Sequence, residues 1–394
     1  MRRWLSLALS MLILASPTRA RGQNGDVPSL IARIEGPQTP NRQGFDGLTL
    51  QEIMQRFRVP AVSIAVIKDF RIHWAKAYGV ADVETGQAAD TGTAFQAASI
   101  SKPVFAMSAV RLAQDGKFSL DADVNTILKS WRVPTSELQR DQPVTLRTLM
   151  SHTSGADDGF GFPGYDPSAA RPTLVQIMNG EAPSNVGPVR FTRPPYAGAK
   201  YSGGAVTLAQ LAVMDAVGRP YAEIGRELVL APLGMSNSTF EQPMSEAFAK
   251  KAARAHNGAG RRMGAPWHVY PEQAAAGLWT TPSDLARFAI EVQRAIRGPK
   301  GTVLTQASAR EMLTPVGVGG FAVGLAVDER AEGWYFSHGG SNWGFRCNLI
   351  AHVRKGYGVV IMTNGDNGGP VMAEIEARVA AAYNWDSLDK PIPR

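Results

Sequence analysis

Ala61-Val62-Ser63-Ile64-Ala65-Val66-Ile67, the polar step Lys68-Asp69-Phe70, and Arg71-Ile72-His73-Trp74-Ala75-Lys76-Ala77 form the stretch from which the fold is read. Two runs rich in β-branched and apolar residues, with a turn between them, spell an antiparallel hairpin. Comparable strand-like runs return only near the other end of the chain, at 321–327, 334–337, 346–352 and 357–363. Between the two groups the period changes. Val104, Met107, Val110 and Leu112 carry helical spacing over 101–114, and Asp115-Gly116 stops it. Further helical patterns fall at 146–150, 206–217, 221–228, 282–296 and 371–383. Long loops at 155–172 and 180–200 are dense in Gly, Pro and aromatic residues. Strands at both ends around a helical middle predict an α+β fold. Its antiparallel sheet is built from both chain ends and flanked by helices, and an all-helical domain is inserted. The segments expected are 46–118 and 275–394 for the α/β domain and 119–274 for the insertion.

The composition agrees with a folded chain of this size. Its 394 residues are 44% hydrophobic and 19% charged, which excludes a disordered or fibrous protein. Forty glycines and 26 prolines point to long, functional loops. The net charge of +7 is scattered, with Arg261-Arg262 a notable basic pair in the body of the chain, so a nucleic-acid-binding stripe is not expected. The single cysteine, Cys347, excludes an internal disulfide and a cysteine-based metal cluster. The six histidines show no His-Glu-x-x-His pattern, and no metal or cofactor is expected. Met1-Arg2-Arg3, the apolar run 4–15 and Pro17-Thr18-Arg19-Ala20 read as a cleaved export signal over 1–20. That run is too short to span a bilayer, and no cysteine follows it for lipid attachment. The expected location is the periplasm or the medium, without a membrane anchor, and residues 21–45 read as a polar leader.

The chemistry concentrates in three clusters. Ser99-Ile100-Ser101-Lys102 opens the helix at 101–114, and a spacing of three puts Ser99 and Lys102 on one face. A serine hydroxyl becomes a nucleophile when a base stands within hydrogen-bond reach, and a desolvated lysine can be that base. Pro103 is tolerable only in a first helical turn, which fixes where the helix starts. Ser-x-x-Lys alone is a weak signal. A second copy at Ser387-Leu388-Asp389-Lys390 has no helix after it and reads as coincidence. Tyr201-Ser202-Gly203 follows a Pro-rich loop and precedes a helix. His338-Gly339-Gly340-Ser341 ends one strand and leads into the next, with glycines that let a substrate approach the strand edge.

With these clusters the sequence resembles the serine β-lactamase-like and penicillin-binding-protein-like hydrolases. The branch it resembles holds class C β-lactamases, D-aminopeptidases, DD-carboxypeptidases and family VIII carboxylesterases. The resemblance runs from about Val59 to Tyr383. It includes Leu146 through Gly155, Ala231-Pro232-Leu233-Gly234-Met235 and Ala276-Gly277-Leu278-Trp279-Thr280-Thr281. It implies Ser99 as the acylated nucleophile, Lys102 as its hydrogen-bonded partner and Tyr201 as the base that relays protons to the leaving group. It also implies an oxyanion hole from the backbone N–H groups of Ser99 and Ser341. His338, Gly339 and Gly340 stand where many relatives carry Lys-Thr-Gly, and Gly203 replaces an asparagine that holds a substrate acylamide. With those groups missing, a small ester or D-amino-acid amide is expected as substrate ahead of a β-lactam.

Other residues carry blander expectations. His152 reads as a buried histidine bonded to backbone and Cys347 as a small core residue. Arg346 reads as an edge-strand surface charge, with substrate carboxylate binding as its alternative. Trp279, Trp343, Phe160 and Phe162 suit either a cleft wall or the core. Two competing functions remain in view. A Gly-x-Ser-x-Gly hydrolase fails because Gly340-Ser341-Asn342-Trp343-Gly344 is one residue too long. A non-catalytic sensor of cell-wall or antibiotic molecules would have no use for an intact Ser99/Lys102/Tyr201 set.

Overall fold

The computed structural model describes residues 26–38, 45–158, 161–298, 300–330 and 333–385. The expected export signal, Phe160 and the Ser387–Lys390 copy lie outside the described residues. The hairpin is present as β1 (Ala61–Lys68) and β2 (Arg71–Asp82), extended by β3 (Gln87–Ala88). Four short strands follow. β4 (Phe95–Gln96) pairs with β7 (Trp279–Thr280), and β5 (Ala156–Asp157) pairs with β6 (Arg190–Phe191). The chain returns to the main sheet as β8 (Ala326–Arg330), β9 (Gly333–Asn342), β10 (Phe345–His352) and β11 (Gly358–Thr363). The seven-stranded order is β3-β2-β1-β11-β10-β9-β8. Both chain ends therefore meet at one ladder, where Val62 opposes Thr363 and Ile67 opposes Gly358.

Period-two alternation decides what covers each face. Ala61, Ala65 and Ile67 join the core shared with the helical part, while Val62, Ile64 and Val66 point into a second core. The first face is covered by α3 (Ser101–Gln114) and α10 (Pro282–Arg297), and the second by α1 (Val27–Glu35), α2 (Leu50–Phe57) and α12 (Gly368–Tyr383). The middle of the chain supplies α4 (Leu146–Met150), α5 (Leu174–Asn179), α6 (Gly203–Val217), α7 (Tyr221–Gly225), α8 (Glu246–Ala249) and α9 (Gln273–Ala276), with α11 (Gln306–Glu311) after α10.

Three local expectations change. The leader contains α1, because Val27, Leu30, Ile31 and Ile34 form a helical stripe inside an otherwise polar segment. The strand expected over 321–327 starts only at Ala326, because Gly324 turns at φ +84 against α3, where a Cβ would lie 2.4 Å from that of Ala106. The strand expected to end at 337 continues to Asn342, so His338-Gly339-Gly340-Ser341 lies within β9. Two glycines weaken the local strand signal, and pairing with β10 restores it.

One buried cation ties α1 to the sheet's outer layer. Arg378 on α12 is fully buried, and its Nε donates to Glu374 at 3.0 Å. Its other nitrogens donate to the carbonyls of Ile34, Gly36, Phe45 and Leu48 at 2.7–3.2 Å. Removing a buried cation from its ion pair and hydrogen bonds costs about 3–5 kcal/mol. Arg378→Ala is therefore expected to lose about that much in chemical denaturation.

Candidate active site

A cleft of about 860 Å³ opens where α3, α6, α9 and the edge of β9 converge. Its floor is the turn before α3. Ala97 N–H donates to Leu278 O at 2.8 Å, and Ala98 takes the left-handed conformation, φ +48. Such a conformation costs an alanine energy and persists only where the surroundings enforce it. Ser101 provides part of that enforcement, donating to Ala98 O and accepting Leu278 N–H at 2.9 Å. Ser99 lies in the 3-10 turn Ala98–Ile100, and α3 follows from Ser101, as the position of Pro103 predicts.

Lys102 is 3% exposed and donates from Nζ to Ser99 Oγ at 3.1 Å and to Ala275 O at 2.8 Å. The same nitrogen lies 4.9 Å from the centroid of the Tyr201 ring. The expected trio is therefore assembled from two separate helix starts. Tyr201 is held by the N-terminus of α6. Ser202 caps that helix and donates to the Asp158 carboxylate, which also accepts Gly204 N–H. Burial pushes the Asp158 carboxyl up, while these bonds and Lys102 pull it back.

His152 is bonded to backbone as expected, and it also belongs to the site. Its Nδ1 accepts Ser202 N–H at 3.2 Å, and its ring packs 4.3 Å from that of Tyr201. Burial, then Lys102 and His338, hold it well below the usual histidine range, so the ring is neutral. Phe162 explains Gly203. A Cβ at position 203 would lie 2.7 Å from Phe162 Cε2, so an aromatic ring fills the place where an asparagine side chain would start.

The far wall is β9. β8 pairs only with its first half, Gly333 to Ser337, which leaves residues 338–342 as an open edge. Asn342 and Phe345 oppose each other across a two-residue turn, the place of a hydrogen-bonded pair. Alternation then makes Ser341 and Arg346 a non-bonded pair, so the Ser341 N–H faces the open edge. Gly340 brings that edge against the serine turn. A Cβ there would lie 2.3 Å from Ala97 O and 2.4 Å from Cys347 Sγ. Cys347 is a buried strand residue as expected, and its thiol donates to the same Ala97 carbonyl at 2.8 Å. Asn342 spans the gap by donating to Gln96 Oε1 at 2.9 Å and Ala276 O at 3.1 Å.

His338 lines the cleft. Its Nδ1 contacts Gly339 O at 2.7 Å, which places the proton on Nδ1 and leaves Nε2 as an acceptor. Burial first and Lys102 second lower its pKa to about 3. Arg346 differs from both expectations. It sits on β10, inside the sheet, and its guanidinium is used by Asp366 at 2.9 Å and by the carbonyls of Asn342 and Phe345. Trp279 is core, and Trp343 stacks on His268 at 3.8 Å. Several contributors left no sequence signal. Ala275 acts through a carbonyl that every residue owns, Phe321 reaches the cleft from a loop, and Asp158 is one of two adjacent acids. Among the described residues no cluster of His, Cys, Asp or Glu is placed to hold a metal ion.

Beside α9, Glu272 is fully buried, and neither carboxyl oxygen has a hydrogen-bond partner among the described residues. Burial raises its pKa to about 8. The unfolded chain ionises this group near the ordinary carboxylate value, whereas the folded chain holds the proton until about pH 8. Its contribution to stability is complete in acid and is lost as pH rises through that window. Glu272→Gln is therefore expected to gain stability relative to wild type between pH 5.5 and pH 8, by about 2–4 kcal/mol in denaturant titrations at the two pH values.

The fold and this cleft define a β-lactamase and penicillin-binding-protein type of hydrolase architecture. The chain belongs to the Beta-lactamase family, which matches residues 48–384. It is similar to "Esterase EstB" from Burkholderia gladioli, 29% identical over 343 residues, covering 79% of this chain and 80% of that protein. Among solved structures it resembles EstCE1, "a hydrolase with promiscuous acyltransferase activity", with a TM-score of 0.70 and 21% identity over 89% of this chain and 98% of that one. It also resembles D-amino acid amidase from Ochrobactrum anthropi SV3, with a TM-score of 0.68 and 21% identity over 91% and 98% of the two chains.

Proposed function

We propose that the chain is an exported serine hydrolase that cleaves a small ester, or a D-amino-acid amide, through an acyl-enzyme on Ser99. The observation that carries this reading is the contact of Lys102 Nζ with Ser99 Oγ at 3.1 Å, with the Tyr201 ring on the same ammonium. Ser99 Oγ attacks the substrate carbonyl and its proton passes to the Lys102/Tyr201 pair, which acts in the form holding one proton fewer than ammonium plus phenol. The oxyanion takes hydrogen bonds from the N–H groups of Ser99 and Ser341. Tyr201 returns the proton to the departing alkoxide or amine, and the same pair activates the water that hydrolyses the acyl-enzyme.

The preference for an ester rests on what the cleft offers a β-lactam. A β-lactam presents a carboxylate and an acylamide. His338 is neutral, Gly339 carries no hydroxyl, and Phe162 fills the space beside Gly203. Each missing hydrogen bond to a charged group is worth about 1.5–3 kcal/mol, or roughly ten- to a hundredfold in discrimination. The esterase relative supports the same preference. A fluorophosphonate probe is expected to label the peptide containing Ser99, and Ser99→Ala to lose essentially all activity, on the scale of a ~10⁶-fold drop. Lys102→Ala and Tyr201→Phe should each cost orders of magnitude in rate without unfolding the chain. Short p-nitrophenyl esters are expected to exceed nitrocefin in kcat/KM by about tenfold or more. The opposite order would favour β-lactamase activity, and labelling that persists in Ser99→Ala would remove the nucleophile assignment.

Export is proposed from the basic start, the short apolar run and the small residues before Arg21. Mass spectrometry of protein recovered from the periplasm or medium is expected to find an N-terminus near Arg21. An intact Met1 on that protein would refute it.

A further inference from the structure

The cleft continues past the β9 edge to the second face of the sheet. Gly339 opposes Asn348, and Ser337 opposes Ile350, which packs in the core shared with α12. Gly369, Met372, Ala373 and Glu376, one helical stripe of α12, line this part of the cleft. Asn348 Nδ2 donates to Glu376 Oε2 at 2.8 Å, which fixes the amide and turns its oxygen toward Gly339. Burial raises the Glu376 carboxyl to about 7, with Arg330 and the Asn348 bond pulling it down.

The polar groups offered by this wall are acceptors. Asn348 presents an oxygen and Glu376 a carboxylate. Just across the edge, the buried Nε2 of His338 has no hydrogen-bond partner among the described residues. The cations nearby are already engaged. Arg330 pairs with Asp328 at 2.7 Å, Arg346 pairs with Asp366 at 2.9 Å, and Lys102 serves Ser99 and Ala275 O on the other face. The positive end of the α12 dipole, at Gly368, lies against Thr363 and Arg346, two turns from Glu376. A helix dipole acts within its first turn, so it does not offset the carboxylate.

We propose that the groove between the β9 edge and α12 is a cation subsite, where Glu376, oriented by Asn348, selects esters or amides that carry an ammonium group. The inference rests on the acyl-transfer reading of Ser99 and names the substrate class for that cleft. The ammonium donates to the Glu376 carboxylate and to the Asn348 oxygen, and a second donor of the substrate meets His338 Nε2. An anionic substrate finds acceptors there and is repelled.

Two matched ester sets test it at pH 7.5. One keeps an acetyl group and places aminomethyl, hydroxymethyl or carboxymethyl on the departing phenol. The other keeps phenol and varies the acyl group among 5-aminopentanoyl, hexanoyl and glutaryl. In at least one set, kcat/KM is expected to run cation above neutral above anion, with a cation-to-neutral ratio of about ten or more. Glu376→Gln is expected to bring that ratio to about one through KM, and Glu376→Asp to retain part of it. A wild-type ratio at or below one in both sets overturns the subsite while leaving the hydrolase reading intact. A ratio that survives Glu376→Gln removes Glu376 from it. If wild type hydrolyses none of the six esters, the acyl-transfer reading fails and takes the subsite with it.

Discussion

The site depends on one close approach, that of β9 to the turn preceding α3. At Gly340 the strand and the turn touch backbone to backbone, with Ala97 O and Cys347 Sγ both where a Cβ would stand. A side chain there would force the two apart and widen the cleft that Ser99 and Ser341 both line. Most of the surrounding polar structure holds these two pieces in register. Ser101 ties the turn to Leu278, β4 pairs with β7, and Asn342 reaches from β9 to Gln96 and Ala276. The left-handed Ala98 is the local cost of aiming Ser99 at the strand edge, and this network offsets it.

Around that contact the electrostatics are dominated by one buried ammonium. Lys102 is satisfied by a hydroxyl and a carbonyl, and its charge helps keep His152 and His338 neutral. A neutral His338 cannot act as the counter-ion that a lysine at the same place would be. Asp158 fixes the start of α6, accepting the Ser202 hydroxyl and the Gly204 N–H. The cleft thus places the Lys102 nitrogen beside Ser99 and hydrogen-bond acceptors elsewhere.

Much of this was legible from residue order. The hairpin, the start of α3 at Pro103, the helical middle and the return to strands follow from periodicity and from proline chemistry. The three motif clusters line one cleft because each sits at an element terminus or a strand edge, where side chains reach the gap between packed elements. The errors have common causes. The Gly-Gly pair hid the second half of β9 because glycine has no strand preference of its own. The polar flanks of α1 masked a four-residue apolar stripe that needs α12 to be worth burying. Arg346 read as an edge charge because strand order is not encoded locally, and β11 covers β10 on one side.

Sequence alone determined which atoms are available for chemistry: a serine and a lysine one helical turn apart, a tyrosine before a second helix, and a glycine-rich strand. Short-range spacing carries that information because helix and strand geometry are nearly invariant. Only the tertiary structure decided which groups those atoms meet. The Ala275 carbonyl on Lys102, Phe162 in place of a side chain at Gly203, and Glu376 facing the β9 edge join residues far apart in the chain. No local pattern specifies such pairs, because they form when the two chain ends close one sheet and the helical insertion packs down upon it.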